Sequence, residues 1–428
     1  MRLTLPLLAR SKAATLLSAK KAGTLESYLS GLKATQLKSL ARETGIPSSG
    51  RKDELRQRLS DEFVTSVFLD GAGHHDSLKK GRKEGEELSV LSIDMGIQNL
   101  AFAHLIVRAP ETLSETRGAM NKGLATLNAW HRIGVQELGA ASPARQDTEA
   151  GVKLQSLLPP SAFRTFTTKK HLPEEIDDIE EPTKTAANKN FEPDTLSHSA
   201  FVLLSSLLQA YKPTHILIER QRFRSGGQSA VLEWSLRVGV FEGMLHAVLC
   251  TMRELARVNK PQNGDKGADG LEVYPISPAR IMQFWDEGKS DASLEEDDDG
   301  SKKGKSRNER GVKGIKMDIV GDILSASTTS ETGRGSLLCW DVAVNTTDKG
   351  EQNVSEVVDV YLRRWKPQLS ISPKSKTSTK SKSDTTSKQV YKIDKMDDLA
   401  DCLLQGLTWL EWQARRARIV RGDRPVDI

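Results

Sequence analysis

The sequence predicts an α/β chain preceded by a small all-helical unit, and three observations carry that expectation. Two apolar runs of strand length, Leu88 to Ile93 and His215 to Ile218, each end in a carboxylate, Asp94 and Glu219. Helical patterns follow such runs, the most apolar opening at Lys395-Met396-Asp397-Asp398-Leu399-Ala400-Asp401 and reaching about Arg418. Ahead of them all, residues 23 to 65 place Leu25, Leu29 and Leu32, then Leu37 and Leu40, then Leu55 and Leu59 at helical spacings.

Taken in order, residues 1 to 22 carry Arg2, Arg10, Lys12, Lys20 and Lys21 with no acid before Glu26, the pattern of a mitochondrial presequence. Residues 23 to 65 form two helical patterns broken at Gly45-Ile46-Pro47-Ser48-Ser49-Gly50, and residues 66 to 87, rich in Gly, His, Lys and Glu, read as a linker. Leu88 to Asp94, a turn at Gly96 and Asn99 to Val107 make two strands joined as a hairpin, with a third strand at Ala125 to Ile133. A helix from Asp194 to Tyr211, with Asp194 as its cap, leads into the strand His215 to Glu219. A long helix runs from Ser229 to Met252, where Val231, Trp234, Leu236, Val238, Phe241, Leu245 and Val248 exceed one narrow apolar stripe. A strand at Leu271 to Ile276 follows, and Ser277-Pro278 starts another helix with Ser as cap and Pro in its first turn.

Four stretches, 172 to 193, 259 to 270, 286 to 310 and 370 to 388, hold too little apolar surface to offset the entropy of ordering and read as disordered insertions. They interrupt an α/β domain spanning 88 to 418, with 419 to 428 as a tail.

A chain of 428 residues at 37% hydrophobic can bury one substantial core and a smaller second one. No apolar stretch approaches the roughly 20 residues that cross a bilayer. Cys250, Cys339 and Cys402 stand at unrelated spacings, which excludes a disulfide framework and suits a reducing compartment. The net charge of +5 hides blocks of opposite sign, so the local charges carry more information.

An acid ending a buried strand costs several kcal/mol of desolvation unless positive charge meets it, so two of them suggest a metal site. A third acidic element opens the last helix. Asp398 and Asp401 are three apart, Asp397 and Asp401 four apart, and helix geometry does not choose between the two pairs. No Cys or His cluster accompanies these acids. That favours a hard, oxygen-bound cation, Mg²⁺ with Mn²⁺ as substitute, and hence phosphoryl transfer.

Two resemblances sharpen this picture. Leu37-x-x-Leu40, Gly45-Ile46 and Gly50-Arg51-Lys52-x-Glu54-Leu55-x-x-Arg58-Leu59 resemble a SAP motif, a small helical module that binds duplex DNA, and that likeness puts Gly50, Arg51 and Lys52 near phosphates. The second rests on Ser92-Ile93-Asp94-Met95-Gly96 with Asn99-Leu100-Ala101, Ile218-Glu219-Arg220-Gln221-Arg222-Phe223-Arg224, Glu233, Arg237 and Glu242, Ser277-Pro278, and Asp397-Asp398-Leu399-Ala400-Asp401. Together these resemble the fungal mitochondrial Holliday-junction resolvases, cruciform-cutting endonucleases of the RNase H-like superfamily.

That resemblance implies a mixed five-stranded sheet flanked by helices, a homodimer, and metal-dependent cutting of four-way junctions in mitochondrial DNA within the matrix. By matching positions it makes Asp94, Glu219, Asp398 and Asp401 the catalytic metal ligands, with Asp397 as the substitute for Asp398. Such a set repels itself, so some of its pKa values are raised. Two divalent ions roughly 4 Å apart would activate water and stabilise the leaving 3′-oxygen, giving 5′-phosphate and 3′-hydroxyl ends. Arg220, Arg222 and Arg224, with Lys313 and Lys316 on a later helix, are candidates either for phosphate contact or for structural salt bridges, and Arg220 alternatively orients the acid it follows. Phe223 either stacks on an opened base or packs in the core. The rival readings are an RNase H-like nuclease acting on hybrid or flap substrates, and a non-catalytic DNA scaffold protein of mitochondria that would have lost one of the acids.

Overall fold

The computed structural model describes residues 19–69, 87–96, 98–108, 122–139, 141, 152–166, 192–221, 233–258, 270–285, 309–328, 338–347, 353–366 and 391–422. The proposed presequence falls outside them except for its last four residues, and the four polar insertions fall outside them except at their edges.

The central sheet is built from β1 (Leu88–Asp94), β2 (Leu100–Arg108), β3 (Gly123–Ile133), β4 (His215–Glu219), β5 (Glu272–Ile276) and β6 (Trp340–Val344) in the order β5-β4-β1-β2-β3-β6. β1, β2 and β3 form an antiparallel meander, while β4 lies parallel to β1, β5 parallel to β4 and β6 parallel to β3. The five expected strands thus form the expected mixed sheet, and β6 extends it at the β3 edge. Gly96 follows β1 where a Cβ would collide with the Asn99 carbonyl, which explains glycine at the start of the hairpin turn.

Helices cover both faces. On one lie α4 (Pro193–Tyr211) and α5 (Glu233–Val258), packed on Leu91, Ile93, Leu100, Phe102, Ile216 and Ile218. α4 departs from expectation at its start: Glu192 is the cap residue, Pro193 opens the helix, and Asp194 sits in the first turn, where its charge still favours the helix dipole. α5 begins at Glu233 and buries Val238, Phe241, Leu245 and Leu249 while leaving Leu236 and Val240 exposed.

The opposite face is crossed by α9 (Met396–Arg421), flanked by α6 (Pro278–Trp285), α7 (Glu309–Thr328) and α8 (Val354–Trp365). α9 is 26 residues long and buried on nearly every side, its polar Gln405, Glu411, Gln413 and Arg416 included. Gln405, in its middle, donates to Ser92 Oγ (3.0 Å) and the Ile93 carbonyl (3.1 Å), with Leu217 O at 3.5 Å, so one amide ties the helix to the ends of β1 and β4.

The N-terminal unit contains three helices, α1 (Ala19–Gly31), α2 (Ala34–Glu43) and α3 (Lys52–Phe63). Its apolar core is shared with Ala417, Ile419 and Val420 of α9, so the last helix runs past the expected boundary at 418. The first residues of the expected linker are packed as well, with Val67 and Leu69 buried and Ser66 Oγ donating to the Gln413 carbonyl at 2.7 Å. No described helix is long and apolar enough to cross a membrane.

Replacing Gln405 with Leu deprives Ser92 of its buried partner and loosens the β1–β4 join. The expected loss is roughly 1–3 kcal/mol in urea unfolding; an unchanged midpoint and slope would show that the amide bridge is dispensable.

Candidate active site

Strand register places the acids. Side chains alternate along a strand, and Val90, Ser92, Leu217 and Trp130 all face α9, so Asp94, Glu219 and Arg132, two residues beyond Ser92, Leu217 and Trp130, face it too. Asp94 pairs with Ala101 and Ala101 with Arg132, while Ile93 pairs with Ile218, which brings all three to one level of the sheet. α9 meets this level with its first turns: Trp130 Nε1 donates to the Leu399 carbonyl at 2.9 Å, fixing the depth at which Asp397, Asp398 and Asp401 enter.

Each acid on α9 is met by a cation. Arg132 Nε donates to Asp398 Oδ2 at 3.1 Å, Lys316 Nζ lies 2.8 Å from Asp401 Oδ1, and Lys313 Nζ donates to Asp397 Oδ2 at 2.7 Å. Among the described residues no cation pairs with Asp94 or Glu219, and the two carboxyls face each other closely enough to interact. Glu219 Oε2 also accepts from the Met95 amide (3.4 Å) and Gln221 Nε2 (3.3 Å), and the Gln221 amide donates to Glu242 Oε2 at 2.9 Å.

The electrostatics follow from burial. Burial first, then the Glu219 charge and the shared hydrogen bond, hold the Asp94 carboxyl well above the usual carboxylate range; the charges of Asp401 and Asp398 add to this. Burial raises Asp401 to about 6 even with Lys316 opposing it. Asp398 is also raised by burial, against the pull of Arg132. Burial pushes Asp397 up as well, but the bond and charge of Lys313 bring it below the usual value. Asp94, Asp398 and Asp401 thus bear out the expectation that some members of the set have raised pKa values.

Asp94, Glu219 and Asp401 line one narrow cleft with Lys316 and Gln405, closed on one side by Pro278 and Ile281 of α6. Asp398 lies beside it, turned to Arg132. Among the described residues no three metal-binding side chains already stand in coordinating geometry. The donor set nevertheless fits a hard divalent cation, being all carboxylate oxygen. Among the described residues, Asp401 Oδ1 is buried with no hydrogen bond beyond its ion pair, and the charge of Glu219 acts on the buried Asp94 carboxyl, so positive charge is wanted here.

The other expected contacts divide. Arg220 is exposed just past Glu219, its amide held by the Ile276 carbonyl at 2.7 Å, while Arg222, Phe223 and Arg224 lie outside the described residues. Lys313 is more than half exposed at the rim; Lys316 is largely buried at the cleft. Arg51 and Lys52 are exposed at the start of α3 and are not among the residues lining the cleft. Arg132, Gln405 and Gln221 were not anticipated as site residues. The run Trp130-His131-Arg132 held the signal for the first, since a cation two positions after a core tryptophan on a strand must face the same way.

Comparison with known proteins places residues 90–419 in the family described as mitochondrial resolvase Ydc2 / RNA splicing MRS1, and residues 29–62 match the SAP domain. The cruciform cutting endonuclease 1, mitochondrial, of Schizosaccharomyces pombe is 24% identical over 254 residues, covering 59% of this chain and 67% of its own. The protein of the same name from Saccharomyces cerevisiae is 22% identical over 394 residues, covering 91% of this chain and 84% of its own. The crystal structure of the yeast mitochondrial Holliday junction resolvase Ydc2 matches with a TM-score of 0.40 at 19% identity, covering 92% of this chain and 99% of that one.

The raised Asp94 pKa has a consequence for stability. An acid whose folded pKa exceeds its unfolded one carries no penalty below the unfolded value near 3.8, and the folded state loses stability as pH rises through the window between the two. With chelator present, Asp94→Asn should therefore unfold at a higher temperature than the parent at pH 7, and the gain should shrink as pH falls toward 4. A gain that grows on acidification would refute the buried-acid picture.

Proposed function

The chain belongs to the mitochondrial resolvase Ydc2 / RNA splicing MRS1 family, and from that premise we propose that it is a structure-selective endonuclease resolving four-way DNA junctions by paired, Mg²⁺-dependent phosphodiester hydrolysis in the mitochondrial matrix. The observation that carries this reading is the convergence of Asp94, Glu219 and Asp401 on one cleft, with Asp398 beside it. The names of both curated relatives, and the basic, acid-free opening of the chain, support the location.

Asp94, Glu219 and Asp401 would hold the divalent cation, with Asp398 as the fourth ligand and Mn²⁺ as a substitute. When bound, such an ion supplies Lewis-acid stabilisation of the charge that builds on the phosphate and on the leaving oxygen. Water adds to phosphorus as the P–O3′ bond breaks, leaving a 3′-hydroxyl and a 5′-phosphate. The role of the protein is to position and to balance charge. Arg132 fixes Asp398, Gln221 and the Met95 amide orient Glu219, and Lys316 presents its ammonium at the cleft, where a phosphate oxygen can accept from it. Arg220 and Lys313 at the rim add electrostatic attraction for the backbone.

Paired nicks require two such sites related by symmetry, which supports a homodimer. The exposed Leu236 and Val240 on α5 offer apolar surface for it. The scaffold reading is disfavoured, because all four acids are present.

Asp94→Asn should lower the cleavage rate of a synthetic four-way junction by more than about a hundredfold, beyond the 10- to 100-fold typical of outer-shell partners. Junction affinity in a gel-shift assay should persist, since it rests on cations meeting phosphates. A variant cutting at the parental rate would exclude Asp94 from the chemistry. Parental activity greater on RNA–DNA hybrid or flap than on the junction would move the substrate assignment to the rival nuclease.

Arg132→Ala should shift the Mg²⁺ concentration giving half-maximal cleavage upward by about 10- to 100-fold, with Arg132→Lys recovering part of it. An unchanged metal requirement would reduce Arg132 to a structural residue.

A further inference from the structure

The SAP module is joined to the nuclease by more than a tether. Gly45, at φ +67°, lies against the Trp412 indole so closely that a Cβ would overlap the ring. Arg416, buried on α9, donates from Nε to the Thr44 carbonyl (2.9 Å) and pairs with Glu62 at the end of α3 (3.2 Å). Gln413 accepts from the Val67 amide at 3.2 Å through its side chain, and Arg421 donates to the Phe68 carbonyl at 2.8 Å. These contacts surround the shared apolar core of Leu40, Leu55, Leu59 and Phe63 with Ala417 and Val420. Losing the module would expose that core.

A second connection runs through α6. Its Pro278 and Ile281 line the acid cleft, while Arg280, between them in sequence, donates to the Gly45 carbonyl at 3.2 Å. One short helix therefore has the active cleft on one side and the SAP module on the other. Its thickness is about 10 Å. Along α9, at about 1.5 Å per residue, the docking residues Trp412 to Arg416 stand roughly 16–22 Å from Asp401. The module is held from two directions by elements that also build the site.

We propose, building on the nuclease reading above, that the SAP module is a fixed registration arm: it grips a duplex arm of the same branched DNA whose strand enters the acid cleft, and thereby sets where that strand is cut. On a flexible tether, a DNA-binding module raises local concentration and leaves the cut position to the nuclease alone. Buried against α9 and α6, it imposes one distance instead. The exposed edge at Gly50, Arg51 and Lys52 carries the grip, with Arg58 bracing the preceding loop through the Pro47 and Ser49 carbonyls at 2.7 and 2.8 Å.

The test uses the full chain and an immobile four-way junction of defined sequence, with nicks mapped at nucleotide resolution in Mg²⁺ and sugar-backbone protection mapped by hydroxyl-radical footprinting in Ca²⁺. The double variant Arg51→Glu/Lys52→Glu should lose a discrete protected patch on the arms, lower the salt slope of binding by about 2, and scatter the nick positions. Arg280→Ala/Arg416→Met, which leaves the grip intact but loosens the docking, should keep the affinity within severalfold, blur the protected patch and scatter the nicks in the same way. Nick positions unchanged in both variants would overturn the proposal.

If the docking variant fails to fold, shortening the junction arms of the parental complex supplies the answer. Registration predicts abrupt loss of nick precision at one arm length, and a gradual decline with total length refutes it. Absence of cleavage by the parent in any divalent metal would refute the nuclease reading, while the footprint would still report whether the module holds an arm in fixed register.

Discussion

The structure depends on the burial of α9 across the sheet. Its side chains Leu399, Leu403, Leu404, Leu407, Trp409 and Leu410 are almost wholly withdrawn from water, each worth about 1.5–3 kcal/mol by area. That stabilisation pins the helix at one depth, and the depth decides which carboxylates meet. With Gln405 bonded to the end of β1, Asp401 one turn earlier is carried to Asp94 and Glu219. The apolar middle of the helix thus sets the geometry of its polar end.

Such an arrangement stores unfavourable electrostatics, and the protein distributes the cost among neighbours. Three acids of α9 are neutralised by Arg132, Lys313 and Lys316, while burial beside the Glu219 charge holds the Asp94 carboxyl well above the usual carboxylate range. The degree of burial differs usefully between the pairs. Arg132 is almost fully enclosed and also donates to the Arg164 carbonyl at 3.1 Å, so it behaves as part of the scaffold. Lys313 is more than half exposed and therefore exchangeable with a substrate phosphate at little cost. Lys316 stands between, inside the cleft.

Much of this was legible in the sequence, because buried strands that end in acids violate the expectation of an apolar core and so mark themselves. Asp94 and Glu219 stood out that way, and the helical spacing of Asp397, Asp398 and Asp401 supplied the third element. Spacing left Asp397 and Asp398 equivalent; only the partners separate them, one turned to Lys313 at the rim, the other to buried Arg132. β6 escaped notice because Trp340-Asp341-Val342-Ala343-Val344 is short and carries an acid on its exposed side. α8 escaped for a different reason. Its valines favour strand by local preference, yet Val354, Val357, Val358 and Tyr361 fall on one helical face and Asn353 caps it, accepting from the Glu356 amide at 2.8 Å.

The boundary between the SAP module and the nuclease was the least legible feature, since composition separates 66 to 87 from its surroundings and so suggests independence. What overrides composition is contact between residues 347 and 372 positions apart, Ser66 with Gln413 and Thr44 with Arg416, for which local sequence holds no signal. A residual trace does exist at the receiving end. Ala417, Ile419 and Val420 extend the apolar surface of α9 beyond the core of the sheet it crosses, and a helix apolar past its own domain requires a second body to cover it. The same helix therefore explains both halves of the molecule: its first turns bring acids to the strand ends, its last turns hold the DNA-binding helices, and its stiffness makes the distance between them a property of the fold.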